Sequence, residues 1–226
     1  MSDPSAPSAQ QLIVRRAAQE LWDGCYVNFG IGLPSQVLRH VPEDVRPFVH
    51  TENGILGAWP QPDRQAMDPQ LIDAGGAYVR TRHGGCHFDS ATSFAMVRSG
   101  RLDLCMLGAF EVDAQGDLAN WRIPGQFTPG MGGGIELAER CRRVIVLTTS
   151  TDKRGRSKLR EVCSLPLTAR HCVQRVITEL GVLDIDEQGF VVRELMPGVT
   201  ASDMAAAVAA PLRFALVSAA DEGAPA

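Results

Sequence analysis

Over residues 11–22 the apolar side chains Leu12, Ile13, Ala17, Leu21 and Trp22 recur at helical spacing, and Gly24 follows where a C-cap glycine closes a helix. This spacing predicts an amphipathic helix. Residues 25–29 then read as a short strand that runs into Gly30-Ile31-Gly32-Leu33-Pro34 and a second helical stretch to about His40. Residues 48–50 predict another strand, and residues 77–81 a further one that ends at the Gly84-Gly85 break. Residues 90–98 have helical periodicity. Residues 102–107 and 143–148 are almost continuously apolar, as strands buried on both faces are. The polar segment 113–117 predicts a turn between short strands at 110–112 and 118–121. A helix over 169–180, strands over 182–185 and 189–193, and a last helix over 201–209 complete the pattern.

Strands alternating with helices predict an α/β fold, a mostly parallel sheet flanked by helices. Residues 1–10, rich in Ser, Ala and Pro, are expected to be a disordered lead, 11–218 a single domain and 219–226 a frayed tail. A chain of 226 residues can bury a core without disulfides or metals. With 45% hydrophobic residues, 21% charged and a net charge of -4, nothing points to nucleic acid. The 22 cations include only two lysines, Lys153 and Lys158, a bias of composition from which no function follows. No window approaches the roughly 20 apolar residues of a membrane span, and the first residues lack the basic start and apolar core of a signal peptide. The expectation is a cytoplasmic protein that does not enter a membrane. The six cysteines, at 25, 86, 105, 141, 163 and 172, are scattered without a Cys-x-x-Cys pair and read as reduced. His83 and His87 have the spacing of paired ligands on a helix, but Gly84 and Gly85 between them disfavour that helix, so no metal site is expected.

The chemistry centres on His50-Thr51-Glu52-Asn53-Gly54-Ile55-Leu56-Gly57. Asn-Gly between apolar runs is a hairpin signal, and a glutamate beside it is ordinarily just solvated. Three other segments alter that reading. Asn28-Phe29-Gly30-Ile31-Gly32 follows a strand and opens a helix, so its amides can face an anion, although it lacks the third glycine of a dinucleotide fingerprint. Leu107-Gly108-Ala109 leads to Leu118-Ala119-Asn120-Trp121. Gly130, Gly132, Gly133 and Gly134 fall within five residues, a cluster that costs backbone entropy and suits close approach to a ligand. The five cations over 153–160 read as a solvated face rather than a phosphate site.

Asn-Phe-Gly-Ile-Gly-Leu-Pro, Glu-Asn-Gly-Ile-Leu-Gly, Phe88-Asp89-Ser90, Ser93-Phe94-Ala95-Met96, Leu107-Gly108-Ala109, Gly116-Asp117-Leu118-Ala119-Asn120-Trp121, Ile123-Pro124-Gly125, Gly130-Met131-Gly132-Gly133 and Cys163-Ser164-Leu165-Pro166-Leu167-Thr168 occur in that order. Over about residues 11–200 the chain resembles the B (β) subunit of 3-oxoacid CoA-transferases. The resemblance implies a CoA-transferase-like fold, an A-subunit partner, and ping-pong exchange of CoA between succinyl-CoA and a 3-oxoacid such as 3-oxoadipate or acetoacetate. It implies no permanently bound cofactor, the coenzyme A thioester being a substrate. By the same resemblance Glu52 is the covalent catalyst and Gly133 the oxyanion donor, with Gly132, Asn53 and Gly54 beside them. Asn28, Gly30, Gly32, Gly108 and Asn120 are then candidates for the substrate pocket.

The chemical logic stands without the resemblance. A glutamate carboxylate is ionised at neutral pH, so it attacks a thioester without a general base. Two alternatives stay open: an acetyl-CoA:acetoacetate or butyrate transferase, and a non-catalytic sugar-phosphate sensor on the same scaffold, against which the intact Glu52 argues. The chain departs from the family pattern at Thr51, where Ser is usual, at Gly76 for Lys, at Thr149-Ser150 for an acidic residue and His, and at Gly134 for Ala.

Overall fold

The computed structural model describes residues 7–61, 63–126, 128 and 130–216. Its elements in chain order are α1 (Ala9–Ala18), β1 (Tyr26–Phe29), a 3₁₀ helix (Pro34–His40), β2 (Phe48–Thr51), β3 (Ile55–Pro60), a short 3₁₀ turn (Arg64–Ala66), β4 (Val79–His87), α2 (Ser90–Arg98) and β5 (Leu104–Leu107). There follow β6 (Glu111–Asp113), β7 (Leu118–Ala119), α3 (Gly134–Arg140), β8 (Val144–Leu147), β9 (Leu159–Arg160), β10 (Arg175–Ile177), β11 (Gly181–Asp186), β12 (Gly189–Leu195), α4 (Ala201–Ala207) and β13 (Leu212–Phe214). Ten strands form one sheet in the order β13-β12-β11-β10-β8-β5-β1-β2-β3-β4, and β7-β6-β9 form a small second sheet.

The centre of the large sheet is parallel: β10, β8, β5, β1 and β2 run side by side in one direction. Both flanks turn antiparallel, through β2-β3-β4 on one side and β10-β11-β12 on the other, while β13 rejoins parallel to β12. Every residue of β5 and β8 is buried, as their unbroken apolar runs predict. Side chains alternate between two cores on opposite faces. Cys105, Leu107, Val144 and Val146 join one, and Leu104, Met106, Ile145 and Leu147 the other. Burying a side chain of this size contributes roughly 1.5–3 kcal/mol.

Helix α1 starts earlier than its apolar spacing suggests. Ser8 caps it, accepting from the Gln11 N–H while the Gln11 side chain accepts from the Ser8 N–H, so residues 9 and 10 are helical rather than part of a disordered lead. It also ends at Ala18, short of Trp22. Beyond it Glu20 lies buried among three guanidiniums, 2.9 Å from Arg16, 2.9 Å from Arg143 and 2.7 Å from Arg175. Arg16 and Arg175 each also meet a second carboxylate, Glu194 at 2.6 Å and Asp184 at 2.7 Å, so truncating Glu20 takes from Arg143 the one carboxylate it pairs with among the described residues. Periodicity gives no hint of such a cluster.

The helix expected over 169–180 does not form. Cys172, Val173, Val176 and Ile177 have helical spacing, but the β-branched stretch pairs instead with the exposed edge of β8 as β10, and Ile177 and Val176 are fully buried there. Tertiary pairing overrides a short helical pattern. The Gly84-Gly85 break is crossed too: β4 continues through it, and β3, which periodicity does not predict, pairs with it across an irregular register. That extended backbone separates His83 and His87 from the helical geometry of paired ligands. The lead before residue 7 and the tail expected to fray from 219 lie outside the described residues. Among the described residues no helix is long and apolar enough to cross a membrane.

Candidate active site

Glu52 sits immediately after β2, at the carboxyl end of the parallel strands, where open α/β sheets place their ligands. The Asn-Gly signal does form a hairpin: β2 and β3 pair His50 with Leu56 and Thr51 with Ile55. Gly54 makes this turn possible. Its φ is +117°, and a Cβ there would lie 2.0 Å from the Phe88 carbonyl oxygen, so no other residue fits. Its N–H donates to the Thr51 carbonyl at 3.0 Å, and its own carbonyl accepts from the Phe88 N–H at 3.0 Å. The Gly54 amide is therefore committed to the turn, which removes it as an oxyanion donor and makes it the frame of Glu52.

A cleft of about 530 Å³ opens beside the glutamate. Phe29, Gly30 and Ile31 from the end of β1, Ser35 and Arg39 from the 3₁₀ helix, Trp59 from β3 and the segment 73–79 line it together with Glu52. Arg39 takes part in none of the ion pairs among the described residues. Asn53 is exposed and points away from the thioester role expected of it: its Nδ2 donates to the Ile72 carbonyl at 2.8 Å, pinning the segment that closes one side of the cleft. Asp73, also in the lining, holds that segment by accepting from the Gly75 and Ala77 N–H groups.

The carboxylate is held from below. Asn28 Nδ2 donates to Glu52 Oε2 at 3.2 Å, and lies 3.0 Å from the His50 carbonyl and 3.1 Å from His50 Nδ1. On the other side of the imidazole, Nε2 lies 2.9 Å from Ser93 Oγ on α2. Asn28 and His50 are each only 1% exposed. Burial pushes His50 down from its ordinary 6.5 to about 4. The Thr51 hydroxyl stays unpaired: Oγ1 is buried without a hydrogen-bond partner among the described residues.

Because the depressed His50 value favours the neutral ring in the folded state, its contribution to stability is full above the unfolded value of 6.5 and is lost as pH falls towards 4. Unfolding free energy should drop by about 3 kcal/mol over that window on this account. Denaturant melts at pH 7, 5.5 and 4 of the wild type and His50→Phe check it. Carboxylate titrations cancel in the difference, and a pH dependence equal in both proteins contradicts the expectation.

Gly133 reaches Glu52 from the far side. It is the N-cap of α3, and a Cβ on it would stand 3.6 Å from Glu52 Cγ and 3.1 and 3.2 Å from the Phe94 ring. Two motifs far apart in the chain thus meet. Gly132, at φ +50°, is exposed, and a Cβ there would meet open space. Gly30 lines the cleft, though its N–H is used by the Met106 carbonyl at 2.8 Å.

The remaining pocket candidates have other tasks. Asn120 Nδ2 donates to the Gly108 carbonyl at 3.1 Å, its Oδ1 accepts from Thr168 Oγ1 at 2.7 Å, and its N–H donates to the same hydroxyl at 3.0 Å. Both residues lie outside the cleft lining and tie strand ends together. Gly32, outside it too, turns the chain at φ +96° and accepts from Ser35 Oγ. Of the divergent positions, Thr149 receives Lys158 Nζ at 3.0 Å, and the Ser150 N–H and hydroxyl donate to Glu179. Three of the five cations over 153–160 are engaged within the chain: Lys158 there, Arg156 with Asp152 and Arg160 with Glu111. Sequence reasoning missed His50, Ser93 and Phe94 as site residues, and spacing alone gives no sign that they meet.

Comparison with known proteins accords with this geometry. The family model for coenzyme A transferase matches residues 11–207. The chain is 43% identical over 196 residues to the B subunit of a probable succinyl-CoA:3-ketoacid coenzyme A transferase of Bacillus subtilis, covering 87% of this chain and 91% of that protein. It is 40% identical over 193 residues to the B subunit of the 3-oxoadipate CoA-transferase of Acinetobacter baylyi, covering 85% and 89%. An acyl-CoA transferase apoenzyme from Escherichia coli O157:H7 superposes with a TM-score of 0.74 at 22% identity over 95% of this chain, which spans 43% of that longer chain. With a turn-borne glutamate at the carboxyl edge of its sheet, and a family match over most of its length, the chain belongs to the coenzyme A transferase family.

Proposed function

We propose that the chain is the B (β) component of a two-subunit CoA-transferase that moves CoA from succinyl-CoA to a 3-oxoacid, 3-oxoadipate or acetoacetate, through a thioester on Glu52. The observation that carries this is the Glu52 carboxylate itself, fixed by Asn28 at 3.2 Å on the wall of a cleft of about 530 Å³. Arg39, which lines the same cleft, suits an acid with a second carboxylate, as succinate and 3-oxoadipate have.

The steps follow from the groups present. A Glu52 oxygen attacks the acyl carbon of succinyl-CoA, and the C–S bond breaks to give a mixed anhydride and CoA thiolate. The thiolate attacks the glutamyl carbonyl, the C–O bond to succinate breaks, and glutamyl-CoA remains. A 3-oxoacid carboxylate then attacks that carbonyl and expels the thiolate, which takes the new acyl group and restores the Glu52 carboxylate. Each attack places negative charge on a carbonyl oxygen, which a fixed N–H such as that of Gly133 can stabilise. The anhydride survives only in a site that excludes water. A partner subunit over the open side of the cleft would supply that cover and most of the contacts to CoA, whose binding energy is available to drive the thioester against Glu52.

The test is reconstitution. The purified chain alone should exchange no CoA, and an added A subunit should produce succinyl-CoA-dependent acylation of 3-oxoadipate or acetoacetate. Full turnover by the isolated chain, or none with any acid in the presence of the A subunit, contradicts the proposal. Faster exchange with acetyl-CoA and butyrate than with succinyl-CoA would favour the short-chain alternative.

A further inference from the structure

We propose that His50 is a positioning residue: through the unprotonated Nδ1 of its ring it fixes the Asn28 amide that in turn aligns the Glu52 carboxylate. This rests on Glu52 being the nucleophile and goes beyond it, by naming a side chain that, with the His50 carbonyl, holds Asn28 in the orientation that faces Glu52.

The orientation follows from acceptor chemistry. The His50 carbonyl and the Glu52 carboxylate can only accept, and both lie within 3.2 Å of Asn28 Nδ2, so the NH₂ side of the amide faces them. The two amide hydrogens serve these two acceptors, and His50 Nδ1, 3.1 Å from the same nitrogen, shares one of them; a proton on Nδ1 would point straight at the NH₂ group, which puts the ring proton on Nε2. Nε2–H then donates to Ser93 Oγ at 2.9 Å, and that hydroxyl donates to the Thr51 carbonyl at 3.4 Å. The path runs from α2 through β2 to β1 and back to Glu52, with Asn28 donating both inward towards His50 and outward to Glu52.

Two features make the arrangement rigid. The His50 ring stacks on Phe88 at 6.1 Å with 17° between planes, and Ser93 is fully buried. The cost of the chosen orientation is that Asn28 Oδ1 remains buried without a partner among the described residues. The opposite orientation would be worse, since Oδ1 would then face two acceptors, one of them a carboxylate, and would push Glu52 from its place. Glu52 is the titratable group that meets Asn28 on the outer side, and His50 is the one on the inner side.

The experiment exploits the geometry of two amides. Asparagine at position 50 places an oxygen where Nδ1 stands, whereas glutamine reaches the place of Nε2 and removes the Nδ1 acceptor that braces the inner side of the Asn28 NH₂ group. In the enzyme assembled with its A subunit, His50→Asn should keep kcat within about threefold of wild type, despite some loss of stability. His50→Gln should lower kcat by about 20-fold and slow the appearance of CoA on Glu52 in proportion, with KM for acyl-CoA within twofold. Should His50→Gln fold poorly, Ser93→Ala, which frees the far side of the ring, should lower kcat by a smaller factor without changing KM. Equal losses in the Asn and Gln variants, a loss confined to KM, or wild-type kcat in His50→Gln overturns the proposal while leaving a Glu52 adduct in the wild type intact. Absence of that adduct in the wild type overturns both this inference and the reading it rests on.

Discussion

Glu52→Ala should abolish CoA exchange by the assembled enzyme, because the mechanism has no second nucleophile to receive CoA. Incubating the wild type with succinyl-CoA in the absence of an acceptor acid should leave CoA attached to the peptide carrying Glu52, detectable by mass. Borohydride should reduce that thioester and inactivate the enzyme, and Glu52→Ala should show neither effect. Glu52→Asp is the more informative variant. It withdraws the carboxylate by one bond, about 1.5 Å, from an Asn28 donor that now stands 3.2 Å away. A displacement of that size typically costs on the order of 100-fold where attack geometry is strict, so kcat should fall by at least that factor while the fold persists. Substantial exchange by Glu52→Ala, or an adduct on another residue, contradicts the mechanism and leaves the fold assignment standing.

That much of this site is legible in the sequence has a physical cause. Glycines at the carboxyl ends of strands, a carboxylate before Asn-Gly and a run of four glycines are local signals that single out Gly30, Glu52 and Gly133, although the helix α3 that Gly133 caps is not predicted. What the sequence cannot express is meeting across the sheet. Ser93 contributes a hydroxyl from a helix read only as amphipathic, and Phe94 beside it sets how much room Gly133 has. His50 reads as one polar residue in a strand, and only burial converts it into a neutral link between Ser93 and Asn28.

The fold reading fails in the same manner. Residues 175–177 fall within a stretch of helical spacing, yet two of the three are β-branched and they become a strand because β8 offers them an edge. Asn120 and Gly108 carry the look of a ligand site, yet they satisfy each other. A polar residue in a glycine-rich turn has two possible partners, the substrate and the neighbouring backbone, and only the folded geometry decides between them.

The Gly133 position separates space from hydrogen bonding. At φ -76° position 133 itself accepts alanine and proline, while a proline there also pushes Gly132, at φ +50°, towards extended backbone. A Cβ at position 133 would press on the Phe94 ring at 3.1 Å and stand against Glu52 Cγ at 3.6 Å. The approach to Glu52 is ordinary contact and the one to Phe94 is tight, so Gly133→Ala alone should lower kcat by forcing the Phe94 ring and the glycine loop apart beside Glu52, and Phe94→Ala should relieve it, returning the double variant to within about fivefold of Phe94→Ala alone. Gly133→Pro in the same Phe94→Ala background has similar room but no N–H. If that N–H stabilises the oxyanion, kcat should stay lower by about 10²–10³-fold, the usual loss for one such donor, with little change in KM because the charge exists only in the transition state. Equal kcat in the alanine and proline double variants would mean that Gly133 supplies space beside Glu52 and nothing more, and the oxyanion would need another donor, from this chain or from the A subunit.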